Sequence, residues 1–280
     1  MKKIIHKVKT ADGYSLHVEE CGRGAPILFA HEFGGDHRSW QSQMSSFARD
    51  YRCIAYAARG FLPSTVPEGV AAYGQGKSTQ DLIAVADRLG LARFHLVGLS
   101  MGSFTSLMAA AQQPKRILTL TLIGCSSGPC TRPEQAAYRS YIEDEIALLE
   151  AGRETAAVAW FARDPAYRRM RKKAPTRWKL YLDHLGRQSV DGALRTLKTV
   201  HLKRICLRRI HSALALIAAP TLLVYGEEDH RYVAPTNEFL SEVIPHSTVV
   251  PFPRTGHMVN IEEAARFNRL LRDHIAGKQG

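Results

Sequence analysis

The stretch that decides the fold is Phe94-His95-Leu96-Val97-Gly98-Leu99-Ser100-Met101-Gly102. Its first half is a short apolar run of strand type. From Met101 to Gln113 the pattern is helical, and Pro114 stops it. Glycines at 98 and 102 flank the serine in a G-x-S-x-G. By composition alone such a pentapeptide arises by chance in roughly one chain in ten of this size, so placement carries the weight. A serine between a strand end and a helix start sits on a sharp, strained turn, and small flanking residues relieve the crowding. Its hydroxyl then stands at the carboxyl edge of a sheet, facing the first amides of the helix. A plain glycine-rich turn is the alternative.

Working outward, Ile4–Lys9 and Leu16–Cys21 alternate apolar and polar residues around Asp12-Gly13, an antiparallel hairpin. Pro26–Ala30, Cys53–Ala57, Phe94–Leu99 and Ile117–Ile123 are continuous apolar runs, the mark of strands covered on both faces. Helical patterns lie between them at about 40–49, 79–90 and 102–113. This β-α-β rhythm predicts an α/β fold with a mostly parallel sheet. After Ile123 the rhythm breaks. Residues 128–212 carry only helical pattern, opened by a capping box at Thr131 and Glu134, with an apolar stripe at Tyr138, Tyr141, Ile142, Ile146 and Leu149 and a stop at Gly152. It resumes with strand Thr221–Tyr225, a helix near 235–243, strand Thr248–Val250 and a helix near 260–275. The expected organisation is a core of 1–127 and 213–280 with a helical insertion, 128–212, after the sixth strand.

The 280 residues are 45% hydrophobic and 23% charged, which excludes a disordered chain. The net charge of +12 is unevenly placed. The insertion holds 18 Lys+Arg against 9 Asp+Glu, and the rest only 20 against 17. The run Arg168-Arg169-Met170-Arg171-Lys172-Lys173 is densest. Such a run reads either as a solvated helix face or as a field that draws an anionic small-molecule substrate. No nucleic-acid module accompanies it, and no run reaches the ~18 apolar residues of a spanning helix, so neither nucleic acid nor a membrane is expected as partner. Five scattered cysteines, Cys21, Cys53, Cys125, Cys130 and Cys206, suit reduced thiols and a cytoplasmic location; a Cys125–Cys130 disulfide is the lesser alternative.

A serine hydroxyl is a poor nucleophile until a base takes its proton and an acid orients that base. Asp229 ends Gly226-Glu227-Glu228-Asp229 after one apolar strand, and His257 ends Arg254-Thr255-Gly256-His257 after the next. Both fall past carboxyl strand ends, where open α/β sheets build their sites. Glu227, Glu228 and His230 compete for these roles. Ala30-His31-Glu32-Phe33-Gly34-Gly35 follows the third strand, and the Phe33 and Met101 amides together could hold a developing alkoxide.

With the elbow, the HxFGG loop, Ala58-Arg59-Gly60, the GxxD segment and the Gly256-His257 pair, the chain resembles the α/β-hydrolase fold superfamily along nearly its whole length. From His31 through the elbow it is similar to esterases, enol-lactonases and cofactor-free perhydrolases. The resemblance implies Ser100 as nucleophile, His257 as base, Asp229 as its orienter and an oxyanion hole at Phe33 and Met101. It also implies no cofactor and no metal, and hydrolysis of a small ester or lactone. Serine at 100 argues against haloalkane dehalogenases and epoxide hydrolases. C–C bond hydrolysis, peracid formation and ligand reception without turnover use the same fold and stay open. There are departures. Glu32 stands where glycine is usual, and reads either as an ion pair with Arg59 or Arg38 or as a contact to substrate. Ala57 removes an acidic partner from Arg59. Ser103 replaces a frequent glycine and reads as a plain helix position. His31, Glu32 and Arg59 are the candidate substrate contacts.

Overall fold

A computed structural model of the chain describes residues 3–125 and 132–277. The alternating segments form the hairpin β1 (Ile4–Lys9) and β2 (Ser15–Gly22). There follow β3 (Ala25–Ala30), α1 (Gln41–Phe47), β4 (Tyr51–Tyr56), α2 (Gln75–Arg88), β5 (Phe94–Leu99), α3 (Met101–Gln112) and β6 (Ile117–Ile123). The sheet has eight strands in the order β1-β2-β4-β3-β5-β6-β7-β8, with β7 at Thr221–Gly226 and β8 at Ser247–Phe252. Strands β1 and β2 pair antiparallel, as do β2 and β4, and every later pairing is parallel.

Successive strand residues point to opposite faces, which explains the unbroken apolar runs. Ile27 and Phe29 of β3 pack with Trp40, Phe47, Phe252 and Phe267 on one face. Leu28 and Ala30 pack with Leu82, Phe104, Leu107 and Leu240 on the other. Helix α2 begins four residues before its expected start. Gly74 and Gly76 make that stretch read as loop, because glycine is a weak helix former, yet the helix starts directly after Gly74.

Between β6 and β7 the described residues form helices and turns only. These are α4 (Arg132–Arg163), α5 (Arg168–Lys173), α6 (Pro175–Leu185), α7 (Val190–Thr196), a π-helical turn at Leu197–His201, and α8 (His211–Leu214). Thr131, Cys130 and the expected boundary at 128 lie outside the described residues. The expected stop at Gly152 does not occur, and α4 runs on to Arg163. One glycine costs a helix only about 1 kcal/mol, less than the burial of Ile142, Ile146, Leu149 and Phe161 returns. No helix among the described residues is long and apolar enough to cross a membrane.

Half of the basic run is a seam to the sheet side of the molecule. Arg169 Nε donates to Glu228 at 2.7 Å and Arg168 reaches the same carboxylate at 3.2 Å. Lys173 pairs with Glu263. After β7 come α9 (Val233–Val243), then α10 (Val259–Glu262) and α11 (Ala264–Ile275), where a single helix was expected.

Candidate active site

Ser100 sits between β5 and α3 at φ 52° and ψ −111°, a left-handed conformation costly for a residue with a Cβ. The flanking glycines are required by contact. A Cβ on Gly98 would lie 2.4 Å from Gly102 O, and one on Gly102 would lie 2.1 Å from Ala30 O. The turn is thus pressed against the end of β3. Ser100 N donates to Ile123 O at 2.8 Å. Ser103, read from sequence as a plain helix position, is fully buried and ties the turn down. Its hydroxyl lies 2.7 Å from Gly98 O and from Ile123 O and accepts from Ile123 N at 2.9 Å.

His257 and Asp229, apart by 28 residues, meet past the ends of β8 and β7. Nδ1 of His257 lies 2.8 and 2.9 Å from the two oxygens of Asp229. Both residues are buried. Burial works against charge on each, but the mutual attraction wins: it raises the pKa of His257 above the ordinary imidazole value and lowers that of Asp229. Of the competitors, Glu228 is spent on Arg168 and Arg169, and the His230 ring approaches Asp164 at 3.6 Å. Two further residues position His257. Its amide donates to Ala166 O in the insertion at 2.9 Å. Gly124, just past β6 at φ +57°, leaves the space in which the pair sits.

Phe33, Ser100 and His257 line one cavity of about 40 Å³. That is room for a few waters at about 10–15 Å³ each. The insertion supplies the facing wall with Tyr138, Tyr141, Ile142, Glu145, Phe161, Tyr167, His201 and Arg204. The Met101 amide is the first of α3, so it has no partner within its helix.

The other sequence candidates stand elsewhere. His31, Arg59 and Met101 line a second, smaller cavity with Tyr56 and Tyr73. His31 donates from Nδ1 to Glu32 O at 2.7 Å and accepts at Nε2 from the Ala58 amide at 2.9 Å, so it clips the loop after β3 to the loop after β4. Burial holds it neutral, with its pKa lowered to about 4. Arg59 gives its donors to Asp81 at 2.6 Å, to Asp12 at 2.9 Å and to Ala72 O. The ion pair expected of Glu32 is absent, because Arg59 is committed to those acids and Arg38 to Asp36. Glu32 accepts from Ser39 Oγ at 2.7 Å, and its Oε2 has no hydrogen-bond partner among the described residues. Burial pushes its pKa up to about 7. Bare Gly35 makes room for it, since a Cβ there would fall 1.9 Å from Glu32 Oε1.

Two groups among the described residues bring His and carboxylate atoms within 4.8 Å of one another. One is Asp229, His230 and His257 themselves. The other, His17, Glu19 and His37, has Lys3 on Glu19 at 2.6 Å.

A family model described as the alpha/beta hydrolase fold matches residues 25–264. A candidate carbamate hydrolase, RutD of Klebsiella pneumoniae, is 27% identical over 269 residues, covering 90% of this chain and 92% of that one. The 3-oxoadipate enol-lactonase 1 of Acinetobacter baylyi is 24% identical over 283 residues, covering 98% and 99%. Among solved structures, an esterase from Exiguobacterium antarcticum superposes with a TM-score of 0.82 at 19% identity, covering 98% of this chain and 100% of its own.

Proposed function

Because the chain belongs to the α/β-hydrolase fold family, we propose that it is a serine hydrolase cleaving a small carboxylic ester or lactone through an acyl-enzyme. One observation carries the reading. A buried Asp229 grips Nδ1 of His257, leaving Nε2 for the cavity that Ser100 also faces. That is the constellation a serine needs to become a nucleophile.

In the mechanism, Nε2 takes the Ser100 proton as Oγ attacks the carbonyl carbon. The alkoxide that forms is held by the Phe33 and Met101 amides. The imidazolium, stabilised by Asp229, returns its proton to the leaving oxygen as the ester bond breaks. Water then enters, loses a proton to His257 and attacks the acyl-serine, and the acid departs as Ser100 regains its proton. In a lactone the leaving alcohol stays tethered to the acyl group. His31 and Arg59 take no part in these steps and hold the loops in place. We place the chain in a reducing, cytoplasmic compartment, which suits the Cys21 and Cys53 thiols, neither of which is in a disulfide. It does not need an anionic substrate, since Arg168, Arg169 and Lys173 are engaged by Glu228 and Glu263.

The test is Ser100→Ala. It is expected to abolish hydrolysis of a short p-nitrophenyl ester and labelling by a fluorophosphonate, with native thermal unfolding. Retained turnover would refute the proposal.

A further inference from the structure

On α4, Tyr138, Tyr141, Ile142 and Glu145 are spaced to share one face, and all four line the cavity above Ser100. Several polar atoms there are paired. Tyr138 Oη and His201 Nδ1 lie 3.0 Å apart, Tyr141 donates to Asp164 at 2.5 Å, and Trp160 Nε1 donates to Tyr141 at 3.3 Å. Two other groups on that wall have hydrogen-bonding capacity to spare. Glu145 is 4% exposed and has no hydrogen bond or ion pair among the described residues. His201 is 6% exposed and its Nε2 has no partner among the described residues. Folded chains rarely bury a ring nitrogen unsatisfied, and with Glu145 lining the same cavity as the nucleophile the two groups call for a ligand.

We propose, on the hydrolase reading above, that Glu145 and His201 form a recognition subsite for an uncharged amide-type group, an N–H beside a C=O, on the substrate. Charge is absent from both side chains near neutral pH. Burial, and then the Asp164 charge, push Glu145 up to about 8. Burial, and then Arg204, hold His201 well below the usual imidazole value. A carboxylic acid both donates and accepts, and a neutral imidazole offers one further atom, so an amide can engage the pair at each end. An aliphatic group would leave both unsatisfied. A carboxylate would meet the Asp164 charge, although Arg204, stacked on Phe104 and Tyr138, lines the same cavity.

The test uses three acetate esters of one size, with alcohols ending in a carboxamide (glycolamide), an isopropyl group (isobutanol) or a carboxylate (glycolate). The native enzyme is expected to favour the carboxamide over the isopropyl ester at least tenfold in kcat/KM, and over the carboxylate as well. Glu145→Leu should bring the first ratio to within twofold of unity, and Glu145→Gln should keep at least threefold. Because Glu145 has no hydrogen-bond partner among the described residues, Glu145→Leu should unfold at or above the native temperature. No native preference for the carboxamide, equal or better use of the carboxylate, or an unchanged ratio in Glu145→Leu would overturn the subsite. If no ester turns over and no fluorophosphonate label is taken, the hydrolase reading fails. Titration calorimetry with the same three molecules then decides the subsite: tighter binding of the carboxamide by native protein than by Glu145→Leu upholds it, and equal binding overturns it.

Discussion

Gly124→Ala separates the two costs of adding one methyl group beside the proposed catalytic pair. The residue sits at φ +57°, and a Cβ there would stand 3.0 Å from His257 Cε1, 3.2 Å from His257 Nδ1 and 3.3 Å from Asp229 Oδ2. The backbone cost of a left-handed L-residue is about 1–2 kcal/mol, partly offset by about 0.4–1 kcal/mol from a stiffer unfolded chain. The contacts are tight enough that the His257–Asp229 pair must yield by a few tenths of an ångström. If 1 Å of misplacement costs about a hundredfold, such a shift costs roughly 4- to 10-fold in kcat. Gly90 supplies the control, being left-handed at φ +68° with nothing within 4 Å of an added Cβ. Gly90→Ala should therefore show a comparable loss of stability in urea melts with native kcat on p-nitrophenyl acetate. Gly124→Ala should lose activity as well. Activity of Gly124→Ala within twofold of native, or an equal activity loss in Gly90→Ala, would refute the steric argument.

Two further outcomes follow from charge. His257 must be unprotonated to act as base and its pKa is raised, so kcat/KM should rise with pH through a midpoint above the ordinary imidazole value of about 6.5. The same group's share of stability runs oppositely, fully present below about 6.5 and lost as pH climbs through its folded pKa; a midpoint below 6 in the rate profile would contradict this. Arg59→Met strands Asp81, 2% exposed, without its cation and should cost about 3–5 kcal/mol in chemical denaturation. A loss under about 1 kcal/mol would show that the buried pair is dispensable.

The strand and helix rhythm was legible because burial leaves a local imprint: two-sided strands read as apolar runs, and the elbow as a strand, a serine and a helix. The positions of Ser100, Asp229 and His257 past strand ends could likewise be read, since topology alone sends those ends to one edge. What sequence could not supply was pairing across distance. Arg59 finds Asp12 and Asp81, 47 and 22 residues away, which leaves Glu32 without the cation that adjacency suggested. Ser103 looked idle because its partners, Gly98 O and Ile123 O, converge only once β5 and β6 lie side by side. Glu145 sat among helix-forming polar residues, and nothing in its neighbourhood marks which helix face will close over the cavity. The hint that existed was its spacing, in phase with Tyr138, Tyr141 and Ile142.

The hydrogen bond from the His257 amide to Ala166 O crosses from the sheet to the inserted helices, and the fit there is close. A Cβ on Gly256 would fall 2.1 Å from that same carbonyl oxygen. The insertion is therefore a poor unit of exchange. Transplanting it from a relative would have to reproduce one peptide's position to within a fraction of an ångström, or His257 would drift from Asp229. Changes that keep that contact are side-chain substitutions on helices already in place. New specificities in this protein should then be sought along the inner face of α4, one residue at a time.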